Sequence, residues 1–279
     1  MTATRIGTST AGGTTEIRLG TDGHIFLTAA LCEELEAALT AARDDAGVRV
    51  LIVTGANPGV FMRHYSVAEI LAMSENLRKM GVTPGDTVPY QKGPIDRCID
   101  LVETLEKPVI AAINGECMGG AMEFSLGCDV RIAQRGEFRL GQPETVLGIL
   151  PGAGGTQRLA RTIGYSQAMN HALTGLPILP EEAHRIGLVH MLADDAIVAA
   201  RARAQHFCAI PPMALAHTKR LVRESAALPL AQGLELERTL FLDLAVRDEG
   251  RALMTAYEAG RYRFACDGEV WRADIPPYV

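Results

Sequence analysis

The sequence predicts an α/β domain that passes, beyond its middle, into a region of helices alone. Two observations carry this. Short apolar runs bounded by turn residues, among them "VRVLIVTG", "KPVIAAING" and "DVRIA", alternate with longer stretches of helical period and no long linker. That order is expected of one mixed domain. After about residue 155 the short apolar runs give way to one amphipathic segment after another.

Taken in order, "TTEIRLG" and "HIFLTA" read as two short strands around the turn "TDG". "AALCEELEAALTAARDDAG" places Leu31, Leu35, Leu39 and Ala42 on one helical stripe, with a stop at Gly47. "VRVLIVTG" follows as a strand. "SVAEILAMSENLRKMG" is a second amphipathic helix, "VTPGDTVPYQKG" a loop, "PIDRCIDLVETLE" a third helix and "KPVIAAING" a buried strand. A Gly-Gly turn, a short helix through Glu123 and the strand "DVRIA" come next. The helical segments then run from "TQRLARTIG", capped by Thr156, to "GRALMTAYEAGR", before an irregular tail "CDGEVWRADIPPYV". The domain boundary is expected at residue 200, with an α/β core over residues 1–200 that takes in the first of these helices and a helical region over 201–279.

Composition narrows the function. Of 279 residues, 48% are apolar and 22% charged, and the net charge is -6 from 27 basic and 33 acidic side chains. This argues against general nucleic-acid or anionic-membrane binding. Six scattered cysteines (Cys32, Cys98, Cys117, Cys128, Cys208, Cys266) show no paired spacing and read as small buried hydrophobes in a reducing compartment. The histidines do not cluster, so no metal site is expected. The polar N-terminus lacks the apolar core of a signal peptide, and no apolar run reaches membrane-spanning length, which implies a cytoplasmic protein.

One residue stands out. In "NGECMGGAMEFSLGCD" the acid Glu123 lies in an almost wholly apolar segment between two buried strands. Charged side chains are rarely buried unless something pairs or uses them. "GECMGG" places the Gly120 N–H at a helix N-terminus, where a free amide and the helix dipole favour an anion or a developing oxyanion. The alternative is that Gly119 and Gly120 merely permit close packing. A second acid, Glu144, follows a Pro in "GQPETVLGILPGAGGTQRL". Two carboxylates near one donor site suit the addition or removal of water. The alternative is that a nearby arginine neutralises Glu123 and that Glu144 is solvated. "PGAGGT" lacks the third Gly and the Lys of a phosphate cradle and reads as a tight turn.

These residues carry a resemblance. "PVIAAINGECMGGAMEFSLGCDVRIA", then "GQPE", then "PGAGGTQRL" closely resemble the enoyl-CoA hydratase/isomerase (crotonase) superfamily, and the likeness extends more weakly from about residue 15 to 265. The resemblance implies a spiral of ββα units with a C-terminal helical trimerisation domain, assembled as a homotrimer or as a hexamer of two trimers. It implies catalytic glutamates at Glu123, handling water, and Glu144, giving a proton to the α-carbon. It implies an oxyanion site from the backbone N–H groups of Tyr65 and Gly120, and a glycine near the water at Gly152. Coenzyme A would be part of an acyl-CoA substrate, with no other cofactor and no metal. Both acids together favour hydration or dehydration over simple isomerisation.

The loop "FMRHYSVAEI" departs from the family pattern. His64 and Ser66 replace a small Gly and an Asp, and Ala68 stands where a basic residue is common. Arg63, His64 and Tyr65 then face the substrate and redirect the pocket, or Arg63 and His64 are solvated. The loop carrying Lys92 would shape acyl specificity, and Arg63, Arg261 and Arg263 are candidates for coenzyme A contacts. Two other functions stay open: a superfamily isomerase or carbon–carbon hydrolase acting on an unusual or non-CoA substrate, and a catalytically silent subunit.

Overall fold

The computed structural model describes residues 4–89 and 91–261. The chain opens with a hairpin, β1 (Ile6–Ala11) and β2 (Thr14–Leu19), turning at Gly12 and Gly13. Both glycines have positive φ, as the tight turn that matches strand twist requires. The expected hairpin thus lies one strand earlier than its predicted place. "TTEIRL" is a strand, but its partner precedes it, and of "HIFLTA" only Leu27 pairs, in an isolated bridge to Tyr65.

Helix α1 (Ala29–Asp44) starts at the Thr28 cap and buries Leu31, Leu35, Leu39 and Ala42, as its stripe predicts. Then come β3 (Val50–Gly55), β4 (Gly59–Met62), α2 (Val67–Lys79), α3 (Pro94–Thr104), β5 (Val109–Ile113), β6 (Gly115–Met118), α4 (Gly120–Gly127), β7 (Val130–Gln134) and β8 (Leu140–Gly141). A 3-10 turn, Glu144–Leu147, leads to α5 (Gly155–Ile163), α6 (Tyr165–Thr174), α7 (Pro180–Arg185), β9 (Met191–Ala193), α8 (Ala196–Cys208), α9 (Pro212–Glu224), α10 (Leu230–Val246) and α11 (Asp248–Glu258). The tail from residue 262, with Arg263, lies outside the described residues.

Two sheets form. One has six strands in the order β1-β2-β3-β5-β7-β9, parallel except for the hairpin. Its strands β3 and β5 are buried throughout because both faces are covered. On one face Val50, Ile52, Ile110, Ala112 and Ile132 meet Ala196, Ala200 and Ala204 of α8, whose alanines at every fourth position let helix and sheet approach closely. On the other face Leu51, Val53, Val109, Ala111 and Ile113 join α1, α3 and α4 in the main core.

The second sheet, β4-β6-β8, is small and parallel. It was not legible in the sequence, yet it assembles the site. The Met118 N–H donates to the Arg63 carbonyl at 3.1 Å and the Gly119 N–H to the Gly141 carbonyl at 2.9 Å. Three distant segments, 63–66, 119–123 and 141–144, are thereby brought to one corner. By contrast α10 buries only Leu240, and Leu230, Leu234, Phe241, Leu242 and Val246 are exposed. Among the described residues no helix is long and apolar enough to cross a membrane.

Candidate active site

The corner begins with two backbone amides. Gly119 caps α4 at φ 52°, ψ -131°, a backbone state open to glycine alone, and Gly120 is the first helical residue. A Cβ on Gly120 would stand 3.0 Å from the Tyr65 Cβ and 3.6 Å from the Tyr65 nitrogen, so the two amides are neighbours. The bridge to Leu27 fixes how Tyr65 sits. Leu27 donates to the His64 carbonyl at 2.8 Å and accepts from the Ser66 N–H at 2.7 Å, which turns the intervening Tyr65 N–H away from Leu27. Among the described residues neither the Tyr65 nor the Gly120 N–H has an acceptor. Gly120 adds the positive end of the α4 dipole.

Glu123 lies one turn into α4 and is 3% exposed. The N–H groups of Ala153 and Gly155 both donate to its Oε1 at 2.8 Å. The turn 151–155 is thus a carboxylate seat built from backbone, which answers why a charged side chain tolerates this place. Burial among its apolar neighbours pushes the Glu123 carboxyl above its usual range, and Asp96 adds to this; the two amides and the Arg158 guanidinium pull it back.

Glu144 has the opposite surroundings. It stands at the start of the 3-10 turn, with its Oε1 3.1 Å from where a Gly119 Cβ would lie, and its buried Oε2 has no partner among the described residues. Burial, reinforced by the charge of Glu123, pushes its carboxyl up to about 7. Two acids of one type are therefore poised apart, one held by donors and a cation, the other nearly bare.

The remaining sequence-predicted residues fall around these. The His64 Cβ lies 3.3 Å from the same Gly119 point that Glu144 approaches. The His64 ring packs on Phe26 at 4.7 Å, and its Nδ1 lies 2.7 Å from the Tyr65 carbonyl, so that nitrogen carries the proton. Ser66 is turned to another task, since its hydroxyl caps α2 by accepting from the Glu69 N–H at 3.3 Å. The Tyr65 side chain is half-buried, and burial and a hydrogen bond to Glu69 raise its phenol. Arg63 is paired with Glu116 at 2.7 Å, and Glu116 also faces Arg139 at 3.4 Å. Gly152 is exposed, with no heavy atom within 4 Å of its Cβ direction, and Arg261 is exposed after α11. Lys92 pairs with Asp100 on α3. Thr156 is not the cap of α5. The helix begins one residue before it, at Gly155, with Gly154 as cap at φ 88°, because the Gly155 N–H is needed at Glu123.

Two residues of the site escape the sequence reading. Gln142 is 3% exposed, neither of its amide atoms has a partner among the described residues, and it packs so tightly on Gly155 that a Cβ there would collide with it. Arg158, in "GGTQRL", faces Glu123 and donates to the Ala153 carbonyl at 2.8 Å. The one signal for Gln142 was its place in "GQPE", and an arginine in a helix gives none.

Known proteins resemble this chain over most of its length. A family model described as enoyl-CoA hydratase/isomerase matches residues 16–265. A 2,3-dehydroadipyl-CoA hydratase of Escherichia coli is 35% identical over 233 residues, which cover 81% of this chain and 83% of that protein. A short-chain-enoyl-CoA hydratase of Clostridium acetobutylicum is 31% identical over 228 residues, covering 81% and 83%. The crystal structure of an enoyl-CoA hydratase from Bacillus anthracis superposes with a TM-score of 0.81 at 32% identity, over 93% of this chain and 98% of that one. With its two sheets, its Gly119–Gly120 turn and both acids in the matched region, the chain belongs to the enoyl-CoA hydratase/isomerase family, the crotonase superfamily.

Proposed function

We propose that the protein is a hydro-lyase that adds water to the double bond of an enoyl-CoA thioester, or removes it. The observation that carries this is one corner holding two unpaired, adjacent amides and two carboxyls in opposite electrostatic surroundings.

In the hydration direction the thioester oxygen accepts from the Tyr65 and Gly120 N–H groups. As charge moves onto that oxygen the amides stabilise the enolate more than the substrate, which is the condition for acceleration. The Glu123 carboxylate takes a proton from water while the water oxygen bonds to the β-carbon. The electron pair of the double bond passes to the α-carbon and the enolate. Glu144, neutral below about pH 7, delivers its proton to the α-carbon. Dehydration reverses each step with the two acids in the complementary states.

Coenzyme A enters as part of the substrate. Arg63, already bound to Glu116, Arg261 and the tail residue Arg263 remain candidate contacts for its phosphates. Assembly into a trimer or a pair of trimers belongs to the same proposal. It is supported by the exposed apolar side chains of α10 and by a second set, Val146 and Leu147 on the 3-10 turn, Leu150 just after it, and Tyr165, Met169 and Leu173 on α6.

The test follows the conjugated-thioester absorbance of crotonyl-CoA with purified protein. Glu123→Gln and Glu144→Gln are each expected to lower hydration by about a hundredfold or more with the fold intact. Wild-type rates in both variants would remove the assignment.

A further inference from the structure

The seat of Glu123 is itself held by a side chain that the hydration steps do not use. Arg158 stands on the first turns of α5. Its Nη1 donates to the Ala153 carbonyl at 2.8 Å, while the N–H of the same residue donates to Glu123. Its other edge clamps Glu103 of α3, with Nε at 2.7 Å from Oε1 and Nη2 at 2.8 Å from Oε2. This two-point geometry leaves the guanidinium little freedom. The turn is shaped around it, because Gly154, between the two donor amides, has φ 88° and a Cβ there would collide with Nη1.

The clamp continues to the helical region. Glu103 also faces Arg223 of α9 at 3.4 Å; Arg223 reaches Asp129 at 2.7 Å and the Gly127 carbonyl at the end of α4, and Asp129 holds Lys219 at 2.8 Å. Among the described residues, this ion-paired chain joins three cations (Arg158, Arg223, Lys219) to two carboxylates (Glu103, Asp129). An ionised Glu123 at its near end supplies the balancing charge. Seen from Glu123, the charged groups are Arg158 on α5, Asp96 on α3 and Glu144 on the 3-10 turn. Arg158 itself faces Glu103 and Asp100 of α3 besides Glu123. Among the described residues, Arg158 is the cation set against these two acids at Glu123.

We propose that Arg158 is a positioning residue for Glu123: through the Ala153 carbonyl it fixes the two amides that bind the carboxylate, and its guanidinium is the fixed charge that keeps this acid, and not Glu144, as the base of the pair. The kinetic consequence rests on the hydratase reading; the ionisation consequence does not.

The experiment compares the full-length wild type with Arg158→Gln, Arg158→Lys and Glu103→Gln. Protonation of Glu123 is read from its carboxylic-acid band in infrared difference spectra, assigned by its loss in Glu123→Gln, and crotonyl-CoA hydration is measured over the same pH range. In Arg158→Gln the midpoint of that band is expected to rise by at least about one pH unit, and the acid limb of kcat to rise with it. Arg158→Lys should restore the midpoint while leaving kcat roughly tenfold low, since a point charge cannot hold carbonyl and carboxylate together. Glu103→Gln, which removes an acid competing for the guanidinium, should lower the midpoint, and it stands in if Arg158→Gln does not fold. A purely structural arginine would change stability and kcat without moving either midpoint, and an unmoved midpoint in a folded variant overturns the proposal. If no enoyl-CoA turns over but the band moves as stated, the hydratase reading fails and the Arg158 assignment stands. Normal hydration with an unmoved midpoint upholds the hydratase reading and removes the Arg158 assignment.

Discussion

Glu123 and Glu144 reach one corner from two regions built on different terms. The first comes from α4 and is met by a backbone turn, a guanidinium and the core, with its Oε1 doubly bonded. The second comes from a 3-10 turn among exposed apolar side chains, and its Oε2 has no partner among the described residues. The difference teaches that the fold need not choose different residue types to obtain a base and an acid. It needs only to supply more donors, and a cation, to one carboxyl than to the other.

The comparison breaks most sharply where both regions meet the amide pair. Gly120→Ala puts a methyl group 3.0 Å from the Tyr65 Cβ and beside its nitrogen, where the thioester oxygen would bind. Hydration kcat is expected to fall by about a hundredfold, the scale of losing one oxyanion donor, as measured by crotonyl-CoA turnover. Gly233→Ala on α10, whose Cβ meets nothing, serves as the control on the same assay.

A smaller effect separates the two acids in stability. Glu123→Ala leaves two buried N–H groups without an acceptor, each costing about 1–3 kcal/mol, so melting should drop by several degrees. Glu144→Gln should do the opposite, and only at high pH. The Glu144 carboxyl is raised in the fold, so the stability it contributes is present below its ordinary range near 4.5 and is lost as pH rises through about 7. The variant should therefore match the wild type at pH 4 and melt about 2–4 °C higher at pH 8. Equal shifts in the two variants at all pH values would erase the distinction.

The two regions also differ in how far the sequence reveals them. The stripe of α1, the buried strand β5 and the helix through Glu123 follow from period and burial, and the structure has all three. The two acids are marked by an unpaired charge in an apolar run and by the family motif. What escapes has a physical cause in each case. The strands β6 and β8 span 4 and 2 residues, too few for any period, yet they align the three segments of the site. The partner of β2 is misplaced because "IGTSTA" is polar and "HIFLTA" is not, while turn chemistry at Gly12 and Gly13 decides the pairing. Arg158 and Glu103 lie 55 residues apart, and nothing local marks either as part of a carboxylate seat.

The most direct measurement is the pH dependence of kcat for crotonyl-CoA hydration and for the reverse dehydration, in wild type and in Glu144→Gln. If a neutral Glu144 donates the proton, hydration should decline above a midpoint of about 7 while dehydration rises through the same pH, and the variant should lose both limbs together with its rate. Hydration and dehydration with the same pH dependence, or a Glu144→Gln variant that keeps the wild-type rate and profile, would contradict the division of labour between the two acids.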